Sequence, residues 1–127
     1  MRIASSNKQY VNEIRFDGVH ISDQSLDLLS EKMTNLYSQI QSLSGSHTLN
    51  VVFDFNFLSV RSRRLVGRFL IGISNYCTAN SEKKVSVEWR YDYMDDDMKE
   101  LGLAYAESSN LNFVFVGTEP NSLSKAV

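Results

Sequence analysis

The sequence predicts an α/β domain: a mixed, mostly parallel β-sheet with helices packed on it, in the order β-β-α-β-α-β-α-β. Three observations carry that prediction. Apolar residues alternate with polar ones in several short runs, the period-two pattern of strands. Between those runs they recur at steps of three and four, the pattern of amphipathic helices. Strands that alternate with helices pair mainly in parallel, because a crossover helix returns the chain to the same end of the sheet. The 127 residues, 43% hydrophobic and 22% charged, have the size and composition of one globular domain.

Residues 8–17, with Tyr10, Ile14 and Phe16, read as a first strand. Asp17-Gly18 is a hairpin turn signal, and Val19 and Ile21 then alternate as a short second strand, giving an antiparallel pair at the sheet edge. Ser22 or Asp23 can cap the next helix. In it Leu26, Leu29, Met33, Leu36, Ile40 and Leu43 fall on one face, and Gly45 ends it. The strongest strand runs from Leu49 to Phe57, where Leu49, Val51, Phe53, Phe55 and Phe57 alternate with Asn50, Val52, Asp54 and Asn56.

A second helix follows, with Val66, Phe69, Leu70, Ile73 and Cys77 inward, and residues 78–82 form a polar turn. Val85, Val87, Trp89 and Tyr91 mark the next strand. Met94, Met98, Leu101 and Tyr105 mark a third helix starting near Asp95, and Leu111, Phe113 and Phe115 a last strand. The polar tail from Gly117 to Val127, with the only proline, Pro120, is expected to fray. The whole chain, 1–127, is expected to be a single domain.

Composition narrows the function classes. With one cysteine, Cys77, no intrachain disulfide can form. Its apolar helical setting suits a buried structural thiol, and the lack of paired cysteines suits a reducing compartment. The first residues carry no apolar signal core, and no run approaches the length that crosses a bilayer. A net charge of −2 argues against nucleic acid or an anionic membrane as partner. The expectation is a soluble, cytoplasmic protein.

Candidate chemistry is sparse. His20, in the second strand, and His47, in a turn, have no ligand or catalytic partner at a recognisable spacing, and rim positions are expected for both. Asp92, Asp95, Asp96, Asp97 and Glu100 could in principle hold a divalent cation. Their spacing matches no calcium loop, and a helix start, where amides and dipole favour negative charge, accounts for them. In Trp89-Arg90-Tyr91-Asp92-Tyr93 the alternate aromatics suit a core strand, with Arg90 and Tyr93 as candidate partner contacts.

The most informative segment is Phe53 to Gly67, a buried strand, a short polar turn and a helix start. Ser62 stands near that helix N-terminus, where a hydroxyl can cap and where a phosphate would be stabilised by free amides and the dipole. Arg61, Arg63, Arg64 and Arg68 supply cationic partners, for that phosphate or for an acidic protein. No base, nucleophile and orienting group occur together. The expectation is therefore a protein without catalytic site, metal or cofactor that works by binding another protein.

These residues carry a resemblance. Trp89-x-Tyr91, Asp95-Asp96-Asp97-Met98-x-Glu100-x-Gly102, Tyr105 and the closing Leu111-x-Phe113 resemble the C-terminal half of the SiaC family, bacterial biofilm-regulation phosphoproteins with a STAS-like fold. Upstream, Phe53-Asp54-Phe55 through Val66-Gly67 resembles the strand-turn-helix of STAS domains, including anti-sigma-factor antagonists. In that register Ser62, followed by Leu65, falls at the phosphorylated position. The SiaC family usually has Asn-Thr-Ser-Ser here. Laid over Ser59-Val60-Arg61-Ser62, that motif puts Val60, which cannot be phosphorylated, at the usual phosphothreonine. The phosphoacceptor is then Ser62, or secondarily Ser59, or has been lost. After the hairpin, Ile21-Ser22-Asp23-Gln24-Ser25 departs from the family's Ser-Tyr-Pro-Glu, so the resemblance covers roughly residues 49–116 of a divergent member.

The resemblance implies a partner-switching protein. It would be the substrate of a Ser/Thr kinase and a PP2C-like phosphatase, with one phosphorylation state engaging a diguanylate cyclase that makes cyclic di-GMP. The missing threonine leaves an alternative, a constitutive adaptor docking through the second helix and its arginines.

Overall fold

The structure, a computed structural model, describes residues 2–5, 11–18, 22–42 and 47–119. The described elements are β1 (Arg2–Ser5), β2 (Val11–Gly18), α1 (Leu26–Ser42, entered through a 3-10 turn at Asp23–Ser25), β3 (His47–Phe55), α2 (Val60–Ala79), β4 (Lys83–Asp92), α3 (Asp96–Ser109) and β5 (Asn112–Thr118). They form one five-stranded sheet in the order β1-β2-β3-β4-β5. β1 pairs antiparallel with β2, and the other neighbours pair in parallel. The expected order and the mainly parallel sheet are what the chain adopts.

The hairpin lies one strand earlier than expected. Asp17 and Gly18 do not turn; they finish β2, paired with Asp54 and Phe55 of β3. The antiparallel pair is β1 with β2, in the register Arg2 to Arg15 and Ile3 to Ile14. Extension of β2 through Gly18 places Ile14 and Phe16 in register with Val51 and Phe53, and this long parallel ladder outweighs a local turn preference. The expected strand at Val19 and Ile21, with His20, lies outside the described residues, as does Gly45. His47 opens β3 rather than lying in a turn, and β5 runs through Gly117 and Thr118, which belong to the sheet rather than to a tail.

Ile14, Phe16, Leu49, Val51, Phe53, Phe55, Val85, Val87 and Trp89 form one buried cluster with Leu29, Met33, Leu36 and Ile40 of α1, Val66, Leu70 and Ile73 of α2, and Met98 and Tyr105 of α3. All three helices therefore cover the same sheet face. Each fully buried aliphatic side chain there contributes about 1.5–3 kcal/mol. An aromatic row ties the layers: Phe16 stacks on Phe53 at 5.1 Å, Phe53 meets Trp89 at 5.8 Å, and Trp89 meets Tyr105 edge-on at 5.5 Å.

The opposite face is mostly polar, with Val114 and Val116 of β5 in register with Glu88 and Arg90 and one apolar residue deeply placed. Val52, expected among the polar alternates, is wholly buried. It lies in register between Arg15 and Glu88, whose apolar stems flank it while their charged ends reach outward. Phe57, expected to continue the apolar face, lies past the end of β3 and is 40% exposed. Cys77 is half-buried near the end of α2, less enclosed than expected, and desolvation raises its thiol pKa.

Candidate docking and phosphorylation site

The turn between β3 and α2 is short because Leu58 is drawn completely into the core. Ser59 then leaves the strand in extended geometry (φ −65°, ψ 164°) and caps α2. Its Oγ accepts from the Ser62 amide at 3.2 Å, while its own hydroxyl donates to Ser62 Oγ at 2.9 Å. The cap satisfies one of the free amides of the first turn. Ser59 is half-buried, whereas Ser62 has no exposed surface. Val60 between them is 66% exposed.

The first turn of α2 contains no acidic residue, so the positive end of its dipole is uncompensated. Arg61 and Arg64 in the first turns and Arg68 one turn on are all exposed. They line a hollow of about 300 Å³ with Leu26, Asp27, Ser30 and Leu65. Arg63 behaves differently: its Nε donates to the Leu58 carbonyl at 3.0 Å, which ties it to the turn. The structure thus gathers Ser59, Ser62, Arg61, Arg64 and Arg68 at one end of α2.

Arg90 and Tyr93 are elsewhere. Arg90 lies on the open sheet face, hydrogen-bonded to Glu88 at 2.8 Å and 3.7 Å from Asp54, which Arg15 approaches at 3.6 Å. Tyr93 follows β4 and is 54% exposed. Its amide donates to the Thr118 carbonyl, closing the end of the sheet.

The acidic run is a helix start. Asp95 caps α3, its carboxylate accepting from the Met98 amide at 3.1 Å, and Asp92 accepts from Met94. Among the described residues no group of three or more His, Cys, Asp or Glu side chains is placed to hold a metal ion, and no helix is long and apolar enough to cross a membrane.

One residue of the site was read from sequence only as a core and family-motif position, not as a candidate contact. Tyr105, on α3, donates its hydroxyl to the Arg63 carbonyl at 2.5 Å, and its ring lies against Gly67, where an added Cβ would be 3.3 Å away. It clasps the first turns of α2 from the side. Burial drives the Tyr105 pKa far above its ordinary value, and the Arg63 charge opposes this only in part. Its helical spacing marked it as core; the hydroxyl's destination, 42 residues earlier, leaves no local trace.

Comparison with known proteins fits this architecture. A family model described as "SiaC family regulatory phosphoprotein" matches residues 7–118. Among solved structures, the chain resembles one described as the diguanylate cyclase SiaD in complex with its activator SiaC from Pseudomonas aeruginosa. The TM-score is 0.69 at 16% identity, over 91% of this chain and 90% of that one. It also resembles apo-SiaC from Pseudomonas aeruginosa, with a TM-score of 0.65 at 15% identity over 91% and 88% of the two chains. At that identity the likeness is one of fold. No curated protein matches the chain.

Proposed function

The chain belongs to the SiaC family of regulatory phosphoproteins, and on that premise we propose that it is a non-catalytic, cytoplasmic partner switch whose phosphoacceptor is at the start of α2 and whose target is a diguanylate cyclase. The carrying observation is the Ser59–Ser62 pair at a helix N-terminus that has no acidic residue of its own and three exposed arginines beside it. A phosphate there brings about −1.5 to −2 charges, which the free amides and the dipole stabilise.

Of the two serines, Ser59 is the acceptor this reading favours, because the residue is only partly buried while Ser62 has no exposed surface. Phosphorylation removes the Ser59 proton that Ser62 now accepts and places an anion beside Arg61 and Arg64. Those cations are then engaged within the chain and no longer attract an acidic partner. The unmodified form is accordingly the one that binds, a Ser/Thr kinase switches it off and a PP2C-like phosphatase restores it. A solved SiaC bound to the diguanylate cyclase SiaD supports the choice of target.

The test is co-expression with the kinases of the host, followed by intact mass and peptide mapping. A single phosphate on Ser59, or on Ser62, supports the switch. A chain that stays unmodified beside every kinase sinks it. A second reading, a constitutive adaptor, is favoured by Val60, 66% exposed at the start of α2 and the residue the family resemblance lays over a phosphothreonine. In that case binding is the same from phosphatase-treated and untreated cells.

A further inference from the structure

Three glycines interrupt the described helices, and two have a steric reason. A Cβ on Gly102 would lie 2.4 Å from Trp89, and one on Gly67 would lie 3.3 Å from Tyr105. Gly72 has none: a Cβ there meets nothing within 4 Å. Glycine is the poorest helix former after proline, and Gly72 lies in the interior of a 20-residue helix. Nothing inside the protein needs it.

Gly72 does, however, border a groove. Between α1 and α2 runs a depression of about 240 Å³ lined by Met33, Tyr37, Leu65 and Phe69, with Ser30, Thr34 and Arg68 at its rim. It shares Ser30, Leu65 and Arg68 with the hollow at the α2 N-terminus, so the two adjoin. Together they follow α1 over the twelve residues from Leu26 to Tyr37, about 16 Å at the helical rise. The floor is apolar. One end carries Arg61, Arg64 and Arg68 against a single acid, Asp27, and among the described residues none of these arginines is ion-paired.

We infer that this groove seats an amphipathic helix of the partner, about three turns long and acidic at one end. Its apolar face, at positions i, i+3, i+4 and i+7, covers Tyr37, Leu65 and Phe69, as in other helix-in-groove complexes. Its acidic end meets the arginines, and its backbone passes closest where Gly72 has no side chain. Charge chooses the occupant: a basic or neutral helix leaves three cations unpaired at the mouth. This deepens the cyclase reading and rests on it for the partner's identity.

The test carries p-benzoylphenylalanine in place of the exposed rim residue Thr34 in the full chain, photolysed with the purified diguanylate cyclase of the same host. The expected cross-link falls in an acidic, amphipathic helical segment. Gly72→Leu, whose side chain enters open space and leaves the melting temperature unchanged or raised, weakens binding at least about tenfold. A complex that forms with undiminished affinity for Gly72→Leu, or cross-links through a strand or a basic segment, overturns the groove and leaves the cyclase reading intact. A cyclase that does not bind overturns the cyclase reading instead. The groove is then titrated with a stapled amphipathic helix of about four turns bearing glutamates at one end, and with its lysine counterpart. Binding of the glutamate peptide alone, lost in Gly72→Leu, supports the inference, and absence of binding overturns it.

Discussion

The hydroxyl of Tyr105 on α3 donates to the main-chain carbonyl of Arg63 on α2, so the helix that carries the exposed arginines is held by a residue of its neighbour. The same ring packs edge-on against Trp89. Position and orientation of the α2 N-terminus are thereby linked to the core of β4.

Removing that clasp has a readable consequence. Tyr105→Phe keeps the packing and loses the hydrogen bond, at a cost of about 1 kcal/mol, measured by urea denaturation at neutral pH. The pH dependence follows from linkage. The folded-state pKa of Tyr105 lies above its unfolded value of 10.0, so its contribution is complete below that value and is lost as pH rises above it. Cys77, raised above 9.0 by desolvation, acts in the same direction. Stability should fall between about pH 8 and about pH 11, and the double variant Tyr105→Phe, Cys77→Ala should fall less steeply.

The glycines should respond in three different ways. Gly102→Ala forces a methyl against the Trp89 indole at 2.4 Å and also crowds the hydrogen bond from Trp89 Nε1 to the Met98 carbonyl, costing about 1–3 kcal/mol or more. Gly67→Ala meets the Tyr105 ring at 3.3 Å and should cost less. Gly72→Ala meets nothing and should stabilise by about 1 kcal/mol. Thermal melts of the three variants check the ranking.

At the α2 N-terminus, capping and charge can be separated. Ser59→Ala loses the cap bond to the Ser62 amide and should destabilise by about 1 kcal/mol. Ser59→Asp keeps a good cap and adds negative charge where the dipole favours it, so the fold should hold while cyclase binding weakens. Chemical denaturation and binding isotherms read the two effects independently.

The two arginine groups lie on opposite sides of the sheet layer and should behave differently. Arg64→Glu should weaken cyclase binding by at least about tenfold with little effect on stability. Arg90→Ala breaks its pairing with Glu88 and Asp54, both partly solvated, and should cost about 1 kcal/mol or less of stability with binding unchanged. Equal binding losses in the two variants would place the interface elsewhere.

Much of the fold was legible because periodicity survives in single stretches of sequence. Leu49, Val51, Phe53 and Phe55 announce β3, and Leu29, Met33, Leu36 and Ile40 announce the buried face of α1. The hairpin was misplaced because Asp17-Gly18 is a local signal, while the competing pairing with Asp54 and Phe55 is decided by residues far along the chain. Val52 was read as a polar-face residue for a similar reason: the stems that bury it belong to neighbouring strands. Of the site, the serines and arginines could be read from their place at a helix start. The retention of Arg63 by the Leu58 carbonyl, the Tyr105 clasp and the groove beside Gly72 depend on how separate elements meet. A glycine in the middle of a helical pattern was the one local hint of the groove.

The central claim is that charge at the start of α2 governs docking. It is tested most directly by calorimetric titration of the host's diguanylate cyclase with the unmodified protein and with protein phosphorylated at Ser59. The account predicts binding of the unmodified form and an affinity at least about tenfold lower, a difference of about 1.4 kcal/mol, for the phosphorylated one. Equal affinities for the two forms would contradict it.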